Sequence, residues 1–373
     1  MLQRLNILKY KKNKNSFFIF KPNFIEKSVN NFLKFFKGTT IYSVKTNPLK
    51  CVLKKIHQNG INHFEVSSIN EIKKIAKLFR NSEIFYMNPI KSRHSISEAY
   101  FKFGVKHFSV DHEDELKKIL EETKNANDLC LHLRLKVSNK FAKYKIENKF
   151  GIGKNKAIKL LKKISFTSCK IGMSFHPGSQ CMDSKGFILG IRFAKKILKN
   201  SNVNINYLNV GGGFPSTYEN LRPKNLKSYF KKILKEFSKI ENYKDIKLLA
   251  EPGRALVSGC LSLIVRVELR KKNKLYINDG IYGSLRGIYN DKFPYSVNIV
   301  DPEKKGKTKL GFSFYGPTCD SNDFLKGPFL LPYNIKEGDL IEICQLGAYS
   351  KSMHSKFNGF SKSKILVNGS RKS

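Results

Sequence analysis

Lys45 is one of many lysines in this chain, but it closes a β-rich run, "TIYSVK", just before the turn signal "TNP". Other groups able to do chemistry close similar runs. They are Glu65 in "FEVSS", Asp111 in "FSVD", Arg134 in "LHLRL" and His176 in "GMSFHPG", then Gly211-Gly212-Gly213 in "LNVGGG", and Glu251 with Arg254 in "LLAEPGR". Bare glycine amides after a strand suit a phosphate, and an arginine fork adds charge for the same anion. A carboxylate such as Glu251 can pair with a basic ring nitrogen, and an imidazole such as His176 can stack on a ring face. A strand-end lysine activated by neighbouring cations can act as an imine-forming amine. Phosphate, ring nitrogen and imine together describe pyridoxal phosphate.

The elements that must hold these groups repeat in the sequence. Eight β-rich runs end at the positions above and at "FYMNP" (85–89), and helical segments lie between them. In 48–60, Leu49, Val52, Leu53 and Ile56 share one face, with Pro48 and Gly60 as start and stop signals; 69–80 repeats the pattern with Ile69, Ile72, Ile75 and Phe79. Eight strand–helix units predict an α/β fold, a (β/α)8 TIM-type barrel over residues 21–257, with a doubly wound open sheet as the rival. In such a barrel the strand ends carry the active site. Beyond residue 258 the pattern changes to strands without intervening helices, at 261–271, 274–280, 311–317 and 340–347. These predict a C-terminal β domain over 258–373, and "SFFIF" within residues 1–20 reads as an edge strand joining it.

Bulk properties narrow the class. Of 373 residues, 70 are Lys or Arg and 29 are Asp or Glu, a formal charge of +41. The positive charges are scattered and accompany abundant Asn, Ile and Phe, so they read as compositional rather than as a specific nucleic-acid footprint. Seven cysteines without a CxxC pair show no disulfide framework and no zinc signature, so no metal is expected and the thiols fit a reduced, cytoplasmic setting. The first twenty residues lack the apolar core of a signal peptide. No run of 18 apolar residues predicts a membrane span.

Six motifs in order, "YSVKTNP", "SFHPGSQ", "GGGFP", "EPGR", "GPTCDSND" and "GAYSKSMHSKFNGF", span nearly the whole chain. Together they resemble the ornithine decarboxylase branch of the alanine-racemase-fold pyridoxal-phosphate decarboxylases. The resemblance implies that Lys45 forms the Schiff base with the cofactor and that His176 stacks on its ring. Ser179, Gly211, Gly212, Gly213, Arg254 and Tyr349 would bind its phosphate, and Glu251 would hold the ring nitrogen protonated. Glu65, Glu71 and Arg134 would form a supporting polar shell. Cys319, supplied by the partner subunit of a homodimer, would reprotonate the carbon that loses CO2. Asp320, from the same partner, and Asp291 would receive a distal ammonium, with Phe357 packing nearby. The implied reaction is decarboxylation of a basic L-amino acid, foremost ornithine to putrescine.

Two positions depart from the family pattern. Glu65 stands where Asp is usual, so its carboxylate reaches one methylene further, and Pro177 removes a backbone donor beside His176. Neither removes an essential group. "GIG" at 151–153 lacks the third glycine of a dinucleotide fingerprint and reads as a loop before a helix. A diaminopimelate enzyme would need a cationic group for the second carboxylate, and a racemase a tyrosine in the place of Cys319. A catalytically inactive regulatory homologue would not need Lys45, Glu251, Arg254 and Cys319 together.

The charge makes one prediction. Ornithine is a net cation, so a protein of +41 repels it at long range while Asp320 attracts it locally. Moderate salt is expected to raise kcat/KM in steady-state assays by screening the repulsion; a fall with salt would show that local attraction dominates.

Overall fold

The computed structural model describes residues 15–146, 149–167, 169–304, 308–360 and 363–367. The leader reading and most of the segment 1–20 therefore fall on residues outside the described ones. The chain divides into two compact units: Ser28–Ser216 with Pro223–Leu256, and Met1–Lys27 with Thr217–Arg222 and Val257–Ser373. No helix among the described residues is long and apolar enough to cross a membrane.

The strands, in chain order, begin with β1 (Phe17–Phe20) and continue with β2 (Thr39–Ser43), β3 (His63–Val66), β4 (Glu83–Tyr86), β5 (His107–Val110) and β6 (Cys130–Arg134). After β7 (Ala142–Tyr144) come β8 (Lys170–Ser174), β9 (Ser179–Cys181), β10 (Tyr207–Asn209) and β11 (Lys247–Ala250). Strands β2 to β6, β8, β10 and β11 close into one parallel barrel in that order, and β11 returns to β2. All eight strands predicted from the sequence are present; Glu65 and Arg134 lie within the last two residues of β3 and β6, while Lys45, Asp111, His176, the three glycines and Glu251 follow their strands.

Alternation sends every second residue of a strand inward. An apolar layer of Ile41, Phe85, Met87 and Leu249 fills the barrel, with Tyr207 against it. Helices wrap the outside because their apolar stripes match the outward strand residues. Ser68 and Ser92 accept from backbone amides to cap the helices Ile69–Leu78 and Arg93–Phe103. Helix Lys154–Ser165 begins after Gly153, as the loop reading of "GIG" requires. Phenylalanines knit the helical layer: Phe32 meets Phe214 at 5.1 Å and Phe230 at 4.8 Å, both edge-on, and Phe187 stacks on Phe214 at 4.6 Å.

The second unit is built on β12 (Leu261–Lys271), whose eleven residues form its spine. Its further strands are β13 (Lys274–Ile277), β14 (Val297–Ile299), β15 (Lys309–Tyr315), β16 (Phe324–Pro332), β17 (Leu340–Ile343) and β18 (Lys364–Val367). The sheet runs β14-β17-β12-β13-β15-β16, with β1 paired to β12 and β18 paired to β1. Strand β1 is thus interior and not an edge: antiparallel to β12 on one side and parallel to β18 on the other. Its run of four buried residues, Phe17 to Phe20, suits a strand covered on both faces. A six-residue helix, Arg286–Asp291, also interrupts the strands, which corrects the helix-free expectation.

The aromatic layer carries a measurable share of stability. Phe230→Ala, which empties a fully buried site, is expected to cost about 3–5 kcal/mol in urea unfolding. Phe166→Ala, at a site 90% exposed, is expected to leave the midpoint unchanged.

Candidate active site

In the barrel unit, β2 ends at Ser43 and the chain tightens into a turn, Val44–Thr46, that lifts Lys45 off the strand. Its Nζ lies 2.5 Å from Oε2 of Glu65 on the neighbouring β3. The Glu65 side chain is buried while that of Lys45 is 41% exposed, so the amine is the reachable member of the pair. Its direct partner is a carboxylate, and Arg134 is a further cation in the same barrel mouth. The next turn is fixed by Glu71: Ser67 N donates to its Oε2 at 2.8 Å, and its own amide donates to Ser68 Oγ. Burial, aided by the nearby charge of Glu65, pushes the Glu71 carboxyl up despite the Ser67 bond.

His176 follows β8 and sits deep in the same barrel mouth. Gly178 N donates to its Nδ1 at 3.1 Å, which leaves Nε2 as the protonated nitrogen. The amide that Pro177 lacks is therefore replaced one residue later. Asn139 donates from Nδ2 to the His176 carbonyl at 3.2 Å and so holds the turn from the other side. Burial first, then the charges of Arg134 and Lys45, hold this imidazole well below its usual range, so it is neutral. The three glycines press on this turn. Gly213 has φ +88°, and a Cβ there would stand 2.1 Å from Gly178 O. A Cβ on Gly212 would stand 2.9 Å from His176 Nε2, so the bare backbone and the ring share one surface. Cys181 N donates to Gly213 O, and Ser216 N donates to Gln180 Oε1, tying the loop after β8 to the loop after β10.

Glu251 ends β11 and is buried. Asn209 Nδ2 donates to its Oε1 at 2.7 Å, and Asn209 Oδ1 accepts from Gly211 N at 2.9 Å. One carboxamide thus fixes both the acid and the glycine turn. Burial above all, then the like charge of Glu65, pushes the Glu251 carboxyl up to about 7, against the pull of Lys45, Arg134 and Asn209. Arg134, at the end of β6, is shifted down by its depth and supported by Glu251, Glu65 and Asp111. Arg254 is buried at the start of the short helix Arg254–Val257, and its carbonyl accepts from Ser216 Oγ at 3.0 Å. Ser179, half-buried, opens β9 opposite Tyr144. Lys45, Glu65, Arg134, His176, Glu251 and the glycines therefore meet in one barrel mouth. An accessible amine, a buried acid, a neutral imidazole and bare glycine amides fit the aldehyde, ring nitrogen, ring face and phosphate of pyridoxal phosphate.

The second unit holds the other predicted residues. Cys319 is exposed, and Asn358 Oδ1 lies 3.2 Å from its amide and 3.5 Å from its Sγ. Asp320 Oδ2 accepts from Tyr282 OH at 2.5 Å, and its Oδ1 accepts from Asn322 N. These bonds, Tyr282 first, hold the Asp320 carboxyl below its usual range and keep it ionised. Phe357 packs 4.6 Å from the Tyr282 ring, so Cys319, Asp320, Tyr282 and Phe357 form one cluster. Asp291 belongs to a different contact: it is buried, with Oδ2 accepting from Tyr295 OH at 2.5 Å. Tyr349 takes a left-handed conformation, φ +55°, with its carbonyl against Gly287.

Sequence reasoning missed Asn209, Asn139, Tyr282 and Asp323. Asp323 is the anchor of the Cys319 loop: its carboxylate accepts from Ile281 N, Thr318 N and Thr318 Oγ1. Its place in "CDSND" was visible in the sequence, whereas Asn209 is one polar residue within a β-rich run and Asn139 one within a loop.

The family described as "Pyridoxal-dependent decarboxylase, pyridoxal binding domain" matches residues 23–258. An ornithine decarboxylase from Panagrellus redivivus is 30% identical over 348 residues, covering 87% of this chain and 78% of that protein. A lysine/ornithine decarboxylase from Selenomonas ruminantium is 27% identical, over 87% of this chain and 82% of its own. The crystal structure of the Paramecium bursaria Chlorella virus arginine decarboxylase superposes with a TM-score of 0.87 over 97% of this chain and 98% of that one, at 24% identity.

The raised Glu251 carboxyl makes a pH prediction for the cofactor-free protein. A group whose folded pKa is raised contributes stability that is full below its ordinary value and lost as pH rises through about 7. Glu251→Gln is therefore expected to match the wild type near pH 4 and to exceed it by about 3 kcal/mol at pH 8, measured by urea unfolding. The same difference at both pH values would contradict this assignment.

Proposed function

The chain belongs to the pyridoxal-dependent decarboxylase family, and we propose that within it this protein converts L-ornithine to putrescine and CO2 as a homodimer with shared active sites. The observation that carries the substrate class is Asp320, a carboxylate held ionised by Tyr282 on the same loop as the Cys319 thiol. Two oxygens that only accept hydrogen bonds suit a compact ammonium. Asp291, also held by a phenol, would offer the second carboxylate. Relatives named for ornithine and for lysine/ornithine support a substrate with a distal cation. The exposure of Cys319 and Phe357 supports a loop that reaches into a partner subunit's site.

When bound, pyridoxal phosphate supplies a cationic conjugated ring that takes up the electron pair left by departing CO2. The protein's residues do the rest. Lys45 would hold the cofactor through its amine, and Glu65, its ion-pair partner, would orient that amine. Glu251, steadied by Asn209, holds a proton at the ring nitrogen. His176 covers one ring face, and its neutral state adds no charge to repel that cation. Glycines 211–213 with Ser179, Arg254 and Tyr349 bind the phosphate. Asp320 and Asp291 fix the distal ammonium, which places the α-carbon. Cys319 Sγ gives its proton to that carbon where the carboxylate left, and solvent restores the thiol. The reduced cytoplasm is the setting this thiol requires.

Ornithine and lysine differ by one methylene, a difference that a pocket discriminates by about 1–3 kcal/mol. In a CO2-release panel of ornithine, lysine, arginine and diaminopimelate, ornithine is expected to give the highest kcat/KM. Cys319→Ala is expected to lower product formation by about 10²–10⁴-fold, and Lys45→Ala to remove the visible absorbance of the lysine-bound cofactor. An unchanged spectrum in Lys45→Ala would sink the mechanism. Purified protein that holds no cofactor would point instead to an inactive regulatory homologue.

A further inference from the structure

The strands that carry the cofactor residues at one end carry a second cluster at the other. On β6, Cys130, His132 and Arg134 alternate inward along the same face. Arg134 closes the strand at the barrel mouth; Cys130 begins it. On β5, His107 is the first residue and pairs with Cys130. His107 Nδ1 lies 2.9 Å from His132 Nε2, and Cys130 Sγ lies 3.3 Å from the same nitrogen. These three atoms lie within 4.8 Å of one another, and all three residues are buried. Glu83, at the start of β4, accepts at Oε1 from His107 Nε2 at 2.8 Å and meets His63 Nε2 at 3.2 Å. The Phe85 ring stacks on His107 at 4.0 Å, and with Ile41, Met87 and Leu249 it forms the apolar layer inside the barrel.

We propose that His107 Nδ1, His132 Nε2 and Cys130 Sγ bind one zinc-type divalent cation at the N-terminal end of the barrel. Two imidazoles and one thiolate are a nitrogen–sulfur set that selects zinc over the oxygen-seeking calcium and magnesium. Tetrahedral bonds of about 2.05 Å to nitrogen and about 2.3 Å to sulfur place ligand atoms about 3.3–3.6 Å apart. The two spacings to His132 Nε2, 2.9 and 3.3 Å, need to open by only a few tenths of an ångström, and the third lies within 4.8 Å. Glu83 supplies the outer partner that metal-bound histidines use: its carboxylate takes the Nε2 proton of His107 and so turns the Nδ1 lone pair inward. Half of the Glu83 side chain is exposed, which gives the ion a way in and leaves the fourth position to water.

Protons balance on binding. The Cys130 thiol proton leaves to solvent, His107 keeps its proton on Nε2, and the His132 proton moves to Nδ1. The site lies beyond the apolar layer from the cofactor residues, so its role is to lock β5 to β6 and not to enter the decarboxylation. No sequence spacing announces it, because its ligands come from two strands and its orienting acid from a third.

The test is a cobalt titration of the wild-type holoenzyme, with metal content measured after dialysis. One cobalt per chain is expected, with d–d bands in the red and a thiolate-to-cobalt charge-transfer band in the near ultraviolet. Cys130→Ser is expected to abolish the charge-transfer band, and Cys169→Ser to leave it intact. Glu83→Gln, at a half-exposed site that tolerates the change, is expected to weaken binding by about 10–100-fold while decarboxylation is unchanged. A wild-type holoenzyme that takes up no stoichiometric cobalt overturns the proposal. So does a spectrum without thiolate character, or one that survives in folded Cys130→Ser. Should that variant not fold, the wild-type spectrum and the Glu83→Gln affinity decide between the two outcomes.

Discussion

A carboxylate buried at the end of a barrel strand sets the terms for everything around it. Leaving Glu251 unpaired in a low-dielectric interior would cost several kcal/mol, so the surrounding chain must either neutralise it or bond it. The fold does part of each. Asn209 donates one strong hydrogen bond, Arg134 and Lys45 lend distant positive charge, and Glu65 withdraws some of that help by claiming Lys45 for itself. The acid is left balanced near neutrality, and a cationic ring nitrogen is the partner that would complete its compensation. Because Asn209 also accepts from Gly211, the acid cannot move without moving the glycine turn. One carboxamide therefore fixes the separation between the acid and the glycine turn.

The closed barrel allows this concentration of charge because its middle is apolar. Ile41, Phe85, Met87 and Leu249 lie between the mouth and the strands' starting ends, so ionisable groups at each end keep their own electrostatics. Strand alternation does the distribution: the residues that point inward on β6 are a thiol, an imidazole and a guanidinium in turn. Only the last stands at the barrel mouth. The register that puts Glu65 beside Lys45 is the same pairing, β2 with β3, that starts the barrel's closure.

What was legible in the sequence was punctuation. Each barrel strand is a short β-rich run ended by a charged, glycine or proline residue, and both the fold and the groups at its mouth follow from those endings. What was not legible depended on tertiary partners. Strand β16 was not among the strands read from the sequence: it contains Gly327-Pro328, and it lies last in the sheet order, where a missing amide is tolerated. Strand β1 looked like an edge because nothing in four apolar residues tells how many neighbours they have; β18, which covers it, is too short and too polar in its flanks to be seen. Asn209 and Asn139 carry no signal in their own segments, since their roles lie in bonds to Glu251 and Gly211 and to the His176 carbonyl. Lys45 was expected near other cations, and Arg134 shares its mouth, but the residue that touches it is one of the chain's scarce acids.

That scarcity bears on the meaning of the charge. With 70 basic and 29 acidic residues, a random draw would bury bases more often than acids. The reverse holds among the described residues. The buried acids are Glu65, Glu115, Glu236, Glu251, Asp279, Asp291, Asp323 and Asp339, while the buried bases are Lys91 and Arg254. Lysine extends its charge to solvent on a flexible stem and costs the fold little, so its number can drift with composition. A buried acid needs donors placed for it, and five of these eight sit in the barrel mouth or in the loops around Tyr282, Asp291 and Cys319. The excess of positive charge is thus a property of the surface, and the buried acids lie where the fold supplies donors for them.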